Sequence, residues 1–472
     1  MQRQKIINRS LRNKIIFAPK WLQEMLGYFH MRYGYFLYMM NPVKYLAFNR
    51  LVQKSQWWPR SRIEEYQLKK LRYILQYAYN NVPYYREVFK RHGLKPQDFH
   101  TLKDLAKLPI LKKEDVVNNF DKLVVQNISR RLIDSTSTSG SCGKPLNVYL
   151  DARYNFTDVA FMKRRCSIAN IRNTDRHILL WSRIFIEENI NEIYYYDPEM
   201  RRLSLSSLPH SVKRWREYLD FIREFKPAYI SGNPSLLYHL ACYAKEEGIL
   251  NIGFKCFMSC FEHLFPFQRK LIEEIFSCVV YDFYSVEERV ISAFECQEHR
   301  GLHIDMERGI TEIVGEDDAV LPEGKAGRII ATGFYNFVMP LIRYETGDLG
   351  SVSKELCRCG RTLPLLKEFI GRTNESIKSG DRYFYSTTLA FLIGNFDSIK
   401  ECQFVQDEEN KLIVNIVRRK FFSGEDEVRI IKLIRDNIGN NLDIKINLVE
   451  IIPRTEMGKF PLVVSRLAGK GS

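Results

Sequence analysis

The 472-residue sequence lacks the features of a membrane-spanning chain, a disulfide-bonded scaffold or a low-complexity protein. No apolar run approaches the roughly 18 residues of a membrane-spanning helix, and residues 31–48, the most apolar early segment, are interrupted by Arg32, Asn41, Pro42 and Lys44. The ten cysteines form no closely spaced paired framework of the kind that small secreted domains use. We therefore expect no membrane span, and a reducing compartment, the cytoplasm, for this chain.

The sequence has fewer acidic than basic residues, 56 against 71, which gives a formal net charge of +15. A basic surplus favours a polyanionic partner such as a nucleotide, a nucleic acid or an anionic lipid surface, but it does not choose among them. No nucleic-acid-binding motif with interleaved aromatics is visible, so a nucleic-acid partner is not predicted. The first twenty residues hold six basic and no acidic residues, with no secretory core after them. We interpret this arm as a solvated basic helix, with peripheral contact to a membrane surface as the alternative.

What is present is ordinary globular material, 45% apolar and 27% charged, in a chain long enough for two or more domains. Helical spacing of apolar residues begins after residue 61, and Pro83 predicts the end of that helix. From about residue 115 to 350, short β-rich runs alternate with amphipathic helices, which predicts an α/β arrangement containing a parallel sheet. Residues 309–350 suit a small β-barrel or a meander.

The last hundred residues predict a compact α+β module that follows a large domain. We expect three segments: a basic helical extension over 1–60, a large domain over 61–370 and a small mobile domain over 371–472. The predicted fold class is α/β, with layered α/β subdomains and a small β-barrel in the large domain.

A Ser/Thr/Gly-rich segment within residues 134–150 has the composition of a phosphate-binding loop. Its hydroxyls, its glycines and Lys144 can surround a di- or triphosphate with backbone and side-chain donors. The segment is not a Walker A loop, because only two residues separate Gly140 from the Gly143–Lys144 pair and Pro145 follows the lysine. The alternative is an ordinary surface loop.

Four further motifs follow this loop in a fixed order. They are Tyr-Ser-Val-Glu-Glu over 284–288, Tyr-Glu-Thr-Gly-Asp over 344–348, Gly-Arg over 371–372 and Pro-Arg-Thr-Glu-Met-Gly-Lys over 453–459. Together with the Thr-Ser-Gly-Ser-Cys-Gly-Lys-Pro loop over 138–145, this set resembles the motifs of the adenylate-forming superfamily, which includes the acyl-CoA synthetases. The sequence over 71–89 and 104–116 is similar to the opening of the phenylacetate–CoA ligase branch, and within it to coenzyme F390 synthetase-like and CapK-like proteins.

This resemblance implies an acyl-CoA synthetase-like fold and an ATP-dependent ligase. Such an enzyme converts a carboxylic acid to an acyl-adenylate with release of pyrophosphate, then passes the acyl group to CoA or to an amine or hydroxyl. CapK-like proteins are associated with capsular polysaccharide synthesis, so a role in surface polysaccharide synthesis is one expectation. The alternative is adenylylation of a cofactor or polymer without acyl transfer, as in F390 synthetases.

The resemblance also implies roles for individual residues. Glu288 would bind magnesium, Asp348 the ribose hydroxyls of ATP, and Lys459 the reacting oxygens of substrate and phosphate. Arg372 would lie near the ribose and phosphate when the small domain closes. Three of these residues also have a structural alternative. Glu288 can belong to a solvated charge run, Asp348 can close a turn and Lys459 can be an ordinary surface lysine. The remaining nucleotide-binding candidates are Thr138, Ser139, Gly140, Ser141, Gly143, Lys144 and Tyr284.

Several positions depart from the family pattern. Ser285 replaces a glycine, and Glu287 stands where a threonine or serine usually reaches the α-phosphate. Asn374 occupies a hinge position that is usually Asp or Lys, and residues 260–262 replace the family's segment in the acyl-binding region. These changes affect the second half-reaction more than the first. We expect residues 229–238 and 260–263 to contribute to the acid pocket.

Two short Cys/His clusters predict a structural zinc site. Cys296 and His303 form one cluster, with His299 as the rival histidine, and Cys357 and Cys359 form the other. Four thiolate or imidazole ligands suit a tetrahedral zinc that fixes structure and activates no water. Free buried cysteines are the alternative, and some members of the resembling branch carry such a metal. The expected ligands are Cys296, His303, Cys357 and Cys359.

Overall fold

The structure is a computed structural model that describes residues 42–126, 128–137, 146–172, 175–180, 194–197, 200–205, 212–353, 355–372, 375–394, 396, 398–455 and 460–467. Its helices are α1 Pro42–Ser55, α2 Arg60–Asn81, α3 Pro83–Arg91, α4 Lys113–Asn118, α5 Phe120–Leu123, α6 Phe156–Ile168, α7 Val212–Phe225, α8 Pro234–Glu246, α9 Pro266–Phe276, α10 Ser386–Ile393 and α11 Gly424–Ile438. Among the described helices, none combines the length and apolar character that crossing a bilayer requires.

The strands alternate with these helices in the first half of the chain and dominate the second half. They are β1 Ile133–Ser137, β2 Asn147–Asp151, β3 His177–Leu180, β4 Tyr194–Asp197, β5 Arg202–Leu205, β6 Tyr229–Gly232, β7 Cys256–Ser259, β8 Val279–Ser285, β9 Ser292–Glu295, β10 Leu302–Ile304, β11 Gly309–Val314, β12 Ala326–Gly333, β13 Tyr344–Val352, β14 Leu365–Arg372, β15 Ser376–Ser379, β16 Arg382–Tyr385, β17 Ile399–Glu408, β18 Lys411–Arg418, β19 Asp443–Leu448 and β20 Val463–Ser465.

The chain divides into two compact units. The first comprises Met1–Gln53, Asn155–Glu262 and Gln268–Tyr281, and the second comprises Lys54–Tyr154, His263–Phe267 and Asp282–Ser472. The predicted boundaries at residues 60 and 370 remain predictions.

The first unit contains the predicted parallel sheet. Strand β3 pairs in parallel with both β5 and β6, and β6 pairs in parallel with β7. Strand β4 adds to β5 in the antiparallel direction. The strands are short and largely buried, as expected where helices cover a parallel sheet. Helices α7, α8 and α9 follow β5, β6 and β7 in the chain, which is the alternation that the sequence predicted.

The second unit is built around an antiparallel meander, one of the two arrangements predicted for residues 309–350. Strands β11 to β14 pair with their neighbours in chain order, and β14 continues through β10 and β9 to the end of β8. Helix α2 buries Leu71, Ile74, Leu75 and Ala78, and Val82 ends it in an extended conformation before Pro83 begins α3. These helices share one apolar core with the meander.

The last hundred residues have an apolar core of their own within the second unit. Strands β19, β18, β17 and β20 form a four-stranded sheet. Helix α11 begins after Ser423, whose capping box with Asp426 satisfies backbone donors at the helix start. Ile430, Ile434 and Ile438 of α11 are buried at helical spacing against this sheet. The segment is therefore the compact α+β module that the sequence predicted.

Candidate functional site

The Ser/Thr/Gly-rich loop connects the two strands of a β-hairpin. Strands β1 and β2 pair from Ile133↔Asp151 to Ser137↔Asn147, so residues 138–146 link their ends. Thr138, Ser139, Gly140, Ser141, Gly143 and Lys144 lie outside the described residues, and so do Lys459 and Asn374. At the same end of the hairpin, the Thr136 hydroxyl donates to Glu287 Oε2 at 2.9 Å. This contact brings Thr136, near the end of β1, next to the residue that precedes Glu288.

Glu288 is buried and hydrogen-bonded to a tyrosine of another motif. Its Oε1 accepts a 2.7 Å hydrogen bond from the Tyr344 hydroxyl, and both residues are buried. Burial raises the pKa of Glu288 above its usual 4.5, although the Tyr344 hydrogen bond opposes the rise. The solvated charge run is thus wrong for Glu288 itself. A carboxylate has about four lone-pair sites and offers the oxygen ligands that Mg²⁺ prefers, so Glu288 can hold a cation in addition to accepting hydrogen bonds.

Asp348 lies between an aromatic hydroxyl and a guanidinium. The Tyr284 hydroxyl donates to Asp348 Oδ2 at 2.7 Å, and Arg372 Nε lies 3.4 Å from Oδ1. Burial, followed by the Asp348 charge, raises the pKa of Tyr284 well above 10, so the phenol remains a hydrogen-bond donor. Asp348 pairs with Arg372 in the β13–β14 register, which explains how two motifs 24 residues apart meet. The structure therefore brings Tyr284, Glu288, Asp348 and Arg372 together.

Gly371 precedes Arg372 and needs the conformational freedom of glycine. Its φ is +129°, and a Cβ at this position would lie 2.8 Å from the Ser386 Oγ at the start of α10. A larger residue would therefore push the end of β14 away from the C-terminal segment. The Thr387 hydroxyl donates to the Ile370 carbonyl at 2.6 Å, which fixes the same junction from the other side.

Arg343, which the sequence analysis did not identify, supports the Tyr344 motif through buried polar contacts. Arg343 is buried with a positive φ of 52°. Its guanidinium contacts Glu312 at 3.1 Å and donates to the carbonyls of Leu108 and Ala106 at 2.6 and 3.3 Å. The signal available in the sequence was an arginine inside an apolar run, between Ile342 and Tyr344, where a charge needs a buried partner.

The residues expected to contribute to the acid pocket fall in both units, and their contacts differ in the two units. In the first unit, the Glu262 carboxylate accepts hydrogen bonds from Asn233 Nδ2 at 3.0 Å and from the Ser235 hydroxyl at 2.6 Å. It thereby caps the start of helix α8. In the second unit, His263 stacks on Phe369, which contacts the Tyr284 ring at 5.4 Å between centroids. Burial lowers the pKa of His263 to about 4.

The four predicted zinc ligands converge in the second unit. Their donor atoms all lie within 4.8 Å of one another. The sulfurs of Cys296 and Cys357 are 3.6 Å apart, and Cys359 Sγ is 3.3 Å from His303 Nε2. Zinc–sulfur bonds of about 2.3 Å in a tetrahedron separate two sulfurs by about 3.8 Å. The arrangement therefore fits a tetrahedral metal, and the sulfur separation is too long for a disulfide.

The histidine of this cluster is oriented for metal binding. His303 Nδ1 lies 3.3 Å from the Leu363 carbonyl, which favours the tautomer that leaves Nε2 unprotonated. The rival His299 instead pairs with Glu295 through Nδ1 at 3.2 Å. Burial raises the pKa of Cys296 to about 12, so the thiol resists losing its proton. A bound cation would favour the thiolate and offset this effect, because a coordinating thiol loses its proton.

Similarity to known proteins extends over most of the chain. A phenylacetate–coenzyme A ligase of Thermus thermophilus is 25% identical over 441 residues, covering 86% of this chain and 97% of the relative. Protein CapK of Staphylococcus aureus is 23% identical over 416 residues, covering 85% and 89%. The family model for the CapK C-terminal domain matches residues 378–466. These matches confirm the resemblance that the ordered motifs indicated.

Solved structures show the fold. A 2-hydroxyisobutyryl-CoA ligase in the postadenylation state aligns with a TM-score of 0.72 at 21% identity, covering 87% of this chain and 93% of that chain. The same ligase with CoA in its thioester-forming state aligns with a TM-score of 0.58 at 21% identity, covering 87% and 91%. The chain therefore has the acyl-CoA synthetase-like fold that the motifs predicted.

Proposed function

We propose that this chain, which is similar to the phenylacetate–CoA ligases and CapK of the adenylate-forming superfamily, is an adenylate-forming ligase. It activates a carboxylic acid with ATP and transfers the acyl group to CoA. The observation that carries the proposal is the group formed by Tyr284, Glu288, Asp348 and Arg372, in which three separate motifs of the superfamily meet. Two relatives that cover 86% and 75% of this chain are phenylacetate–coenzyme A ligases by name.

The reaction needs two steps because a carboxylate is a poor electrophile. In the first, a carboxylate oxygen attacks the α-phosphorus of ATP and expels pyrophosphate, giving an acyl-adenylate. In the second, the thiolate of CoA attacks the acyl carbon and expels AMP. The protein must stabilise negative charge on phosphate oxygens during the first step, for which preorganised cations and donors are the usual means.

The residues of the five motifs have distinct tasks in this scheme. Asp348 would accept hydrogen bonds from the ribose hydroxyls, and Tyr284 and Arg372 hold its carboxylate in place. Glu288 would hold Mg²⁺, which would offset the charge of the triphosphate. Outside the described residues, the loop over residues 138–144 would supply donors to the phosphates, and Lys459 a cation to the reacting oxygens.

A pyrophosphate exchange assay tests the first step. A library of carboxylic acids, beginning with phenylacetate, is screened for acid-dependent exchange of labelled pyrophosphate into ATP. We expect at least one acid to support exchange, and the Lys459→Ala variant to lose exchange by about 10²–10³-fold, as when a preorganised group is removed, with ATP affinity changed only several-fold. A folded wild-type protein that exchanges with no acid would contradict the proposal.

The second step has a rival acceptor, which the resemblance to CapK-like proteins suggests. Because the C-terminal family model is that of CapK and CapK-like proteins are associated with capsular polysaccharide synthesis, we propose an amine or hydroxyl of a surface-polysaccharide precursor as the alternative to CoA. Formation of a CoA thioester from the activated acid distinguishes the two acceptors. Adenylylation of a cofactor or polymer predicts pyrophosphate release with no acyl group that hydroxylamine can trap.

The Cys/His cluster is proposed as a structural zinc site. Cys296 and His303 come from the β9–β10 hairpin, and Cys357 and Cys359 from the segment between β13 and β14. All four ligands belong to the protein, which leaves no position for a reacting water. The metal thus joins two pieces of the sheet that carries Asp348 and Arg372.

A further inference from the structure

Arg454, a few residues before Phe460, forms a buried ion pair with Glu401. Arg454 donates from Nη1 to Glu401 Oε2 at 3.1 Å and from Nη2 to Glu401 Oε1 at 2.9 Å. The two side chains are only 6% and 9% exposed. Arg454 Nη1 also donates to the Ile452 carbonyl at 2.9 Å. This bidentate geometry fixes the guanidinium plane and therefore the backbone that carries it.

The residues from Phe460 onwards contact Arg454 and strand β17, the strand that carries Glu401. The Phe460 ring centroid lies 4.8 Å from Arg454 Cζ, so the residues on either side of 455–459 touch each other. The Pro461 carbonyl accepts a hydrogen bond from Gln403 Nε2 at 2.9 Å. Glu401 and Gln403 are two residues apart on β17, so their side chains leave the strand on one face.

A ladder of amide side chains fixes Gln403 in turn. Asn415 Nδ2 donates to Gln403 Oε1, and Asn447 Nδ2 donates to Asn415 Oδ1, each at 3.0 Å. Asn415 is on β18 and Asn447 on β19, so the ladder crosses three strands of the C-terminal sheet. Gln403 cannot rotate away from Pro461 without breaking the ladder.

We propose that Arg454, Glu401 and Gln403 form a clasp whose task is to position Lys459 for adenylate formation. The inference rests on the proposed function, because the clasp acts only through Lys459. Burying an ion pair is a poor way to gain stability, since an apolar pair of equal volume does as well or better. A bidentate ion pair does, however, fix the orientation of the Arg454 guanidinium. With Arg454 and Pro461 both held on one face of β17, the backbone on either side of Lys459 is fixed.

Two variants and one matched control test the clasp. Glu401→Gln removes the charge that orients Arg454, and Gln403→Met removes the second anchor while leaving the ion pair intact. Asp407→Asn is the control, because Asp407 lies on the same strand and pairs with Arg466 at 3.3 Å in an exposed salt bridge. The first half-reaction is measured as pyrophosphate exchange with the acid that gives the fastest wild-type rate. The second is measured with CoA and the prepared acyl-adenylate of that acid.

We expect both variants to lose exchange by about 10²-fold, the usual result of a small misplacement of a reacting group. The loss should lie in kcat, with KM for ATP unchanged, while thioester formation from the prepared adenylate remains within a few-fold of wild type. Arg454→Lys should lose less than Glu401→Gln, because it keeps the charge. The control should behave as wild type in both assays.

Equal losses in both half-reactions, accompanied by a lower unfolding midpoint, would show that the clasp only stabilises the module and would overturn the inference. Wild-type exchange rates in folded Glu401→Gln and Gln403→Met would also overturn it. If the wild-type protein itself exchanges with no acid, the proposed function fails and the clasp loses its role with it, a result that the variants cannot imitate.

Discussion

At the scale of single residues, each functional carboxylate of the candidate site is held by a tyrosine from a different motif. Tyr344 donates to Glu288 and Tyr284 donates to Asp348, both at 2.7 Å. The sequence identified the two carboxylates because they stand inside recognisable motifs. It could not identify the pairing, because Tyr344 and Glu288 are 56 residues apart and meet only after the sheet has formed.

The Tyr344 hydroxyl gives a specific prediction about magnesium. Tyr344→Phe removes the donor to Glu288, which leaves the carboxylate less stabilised as an anion and free to turn from the cation. Hydrogen bonds to charged groups contribute about 1.5–3 kcal/mol, so the Mg²⁺ concentration for half-maximal exchange should rise by about 10-fold or more. The measurement is pyrophosphate exchange as a function of Mg²⁺ at saturating ATP.

Tyr335→Phe is the matched control for this prediction. Its hydroxyl contacts the Tyr66 hydroxyl in the same unit. We expect its Mg²⁺ dependence to equal that of wild type. An equal shift in both variants would mean that loss of a buried hydroxyl, and not loss of the Glu288 contact, causes the effect.

At the scale of elements, the Cys/His cluster joins a hairpin to a strand connection. Strands β9 and β10 are short and fully buried, and Cys357 and Cys359 lie where β13 leads into β14. Four metal bonds would add to the packing that buries this junction. The sequence predicted Cys296, His303, Cys357 and Cys359 from their clustering and left His299 as the rival to His303. That choice depends on strand β10 turning His303 inward, where its side chain is buried.

Zinc removal should therefore act on stability first. We expect one zinc per chain by elemental analysis, and Cys296→Ser to lose the metal and unfold at a lower temperature. His299→Ala is the matched control, and it should keep the metal because its imidazole pairs with Glu295 outside the cluster. Zinc retained in Cys296→Ser but lost in His299→Ala would contradict the ligand set.

At the scale of the whole molecule, the sequence predicted the elements better than their order in space. The patterns indicated the alternation of short strands with helices between about residues 115 and 350, because short apolar runs and helical spacing are local signals. The neighbours of β14 were not predictable. This strand pairs with β13 next to it in the chain and also with β10, more than sixty residues earlier. Such pairing is decided by packing between distant segments, as is the Arg343–Glu312 pair beneath the site.

Two histidines with lowered pKa values predict how the stability of the molecule depends on pH. Loss of solvation lowers the pKa of His177 in the first unit and of His263 in the second unit to about 4, whereas the ordinary pKa of histidine is 6.5. Between these values the unfolded chain binds more protons than the folded chain, so the free energy of unfolding falls as the pH falls from 6.5 towards 4. At 1.36 kcal/mol per pKa unit, each histidine accounts for at most about 3 kcal/mol of this loss.

His177→Phe tests the effect while keeping an aromatic ring against Tyr229, on which His177 stacks at 4.7 Å. Urea unfolding of wild type and variant is compared at pH 7.5 and at pH 4.5. The difference between the unfolding free energies of the two proteins at pH 7.5 measures the change in packing and the loss of the hydrogen bond to the Asp175 carbonyl. At this pH the imidazole is neutral in both the folded and the unfolded wild-type chain, so protonation of the ring does not contribute to that difference. We expect the variant to lose less stability than wild type between the two pH values, because it has one fewer site at which the unfolded chain gains a proton. Parallel losses in the two proteins would show that His177 is protonated equally in the folded and unfolded states, and that the acid sensitivity arises elsewhere.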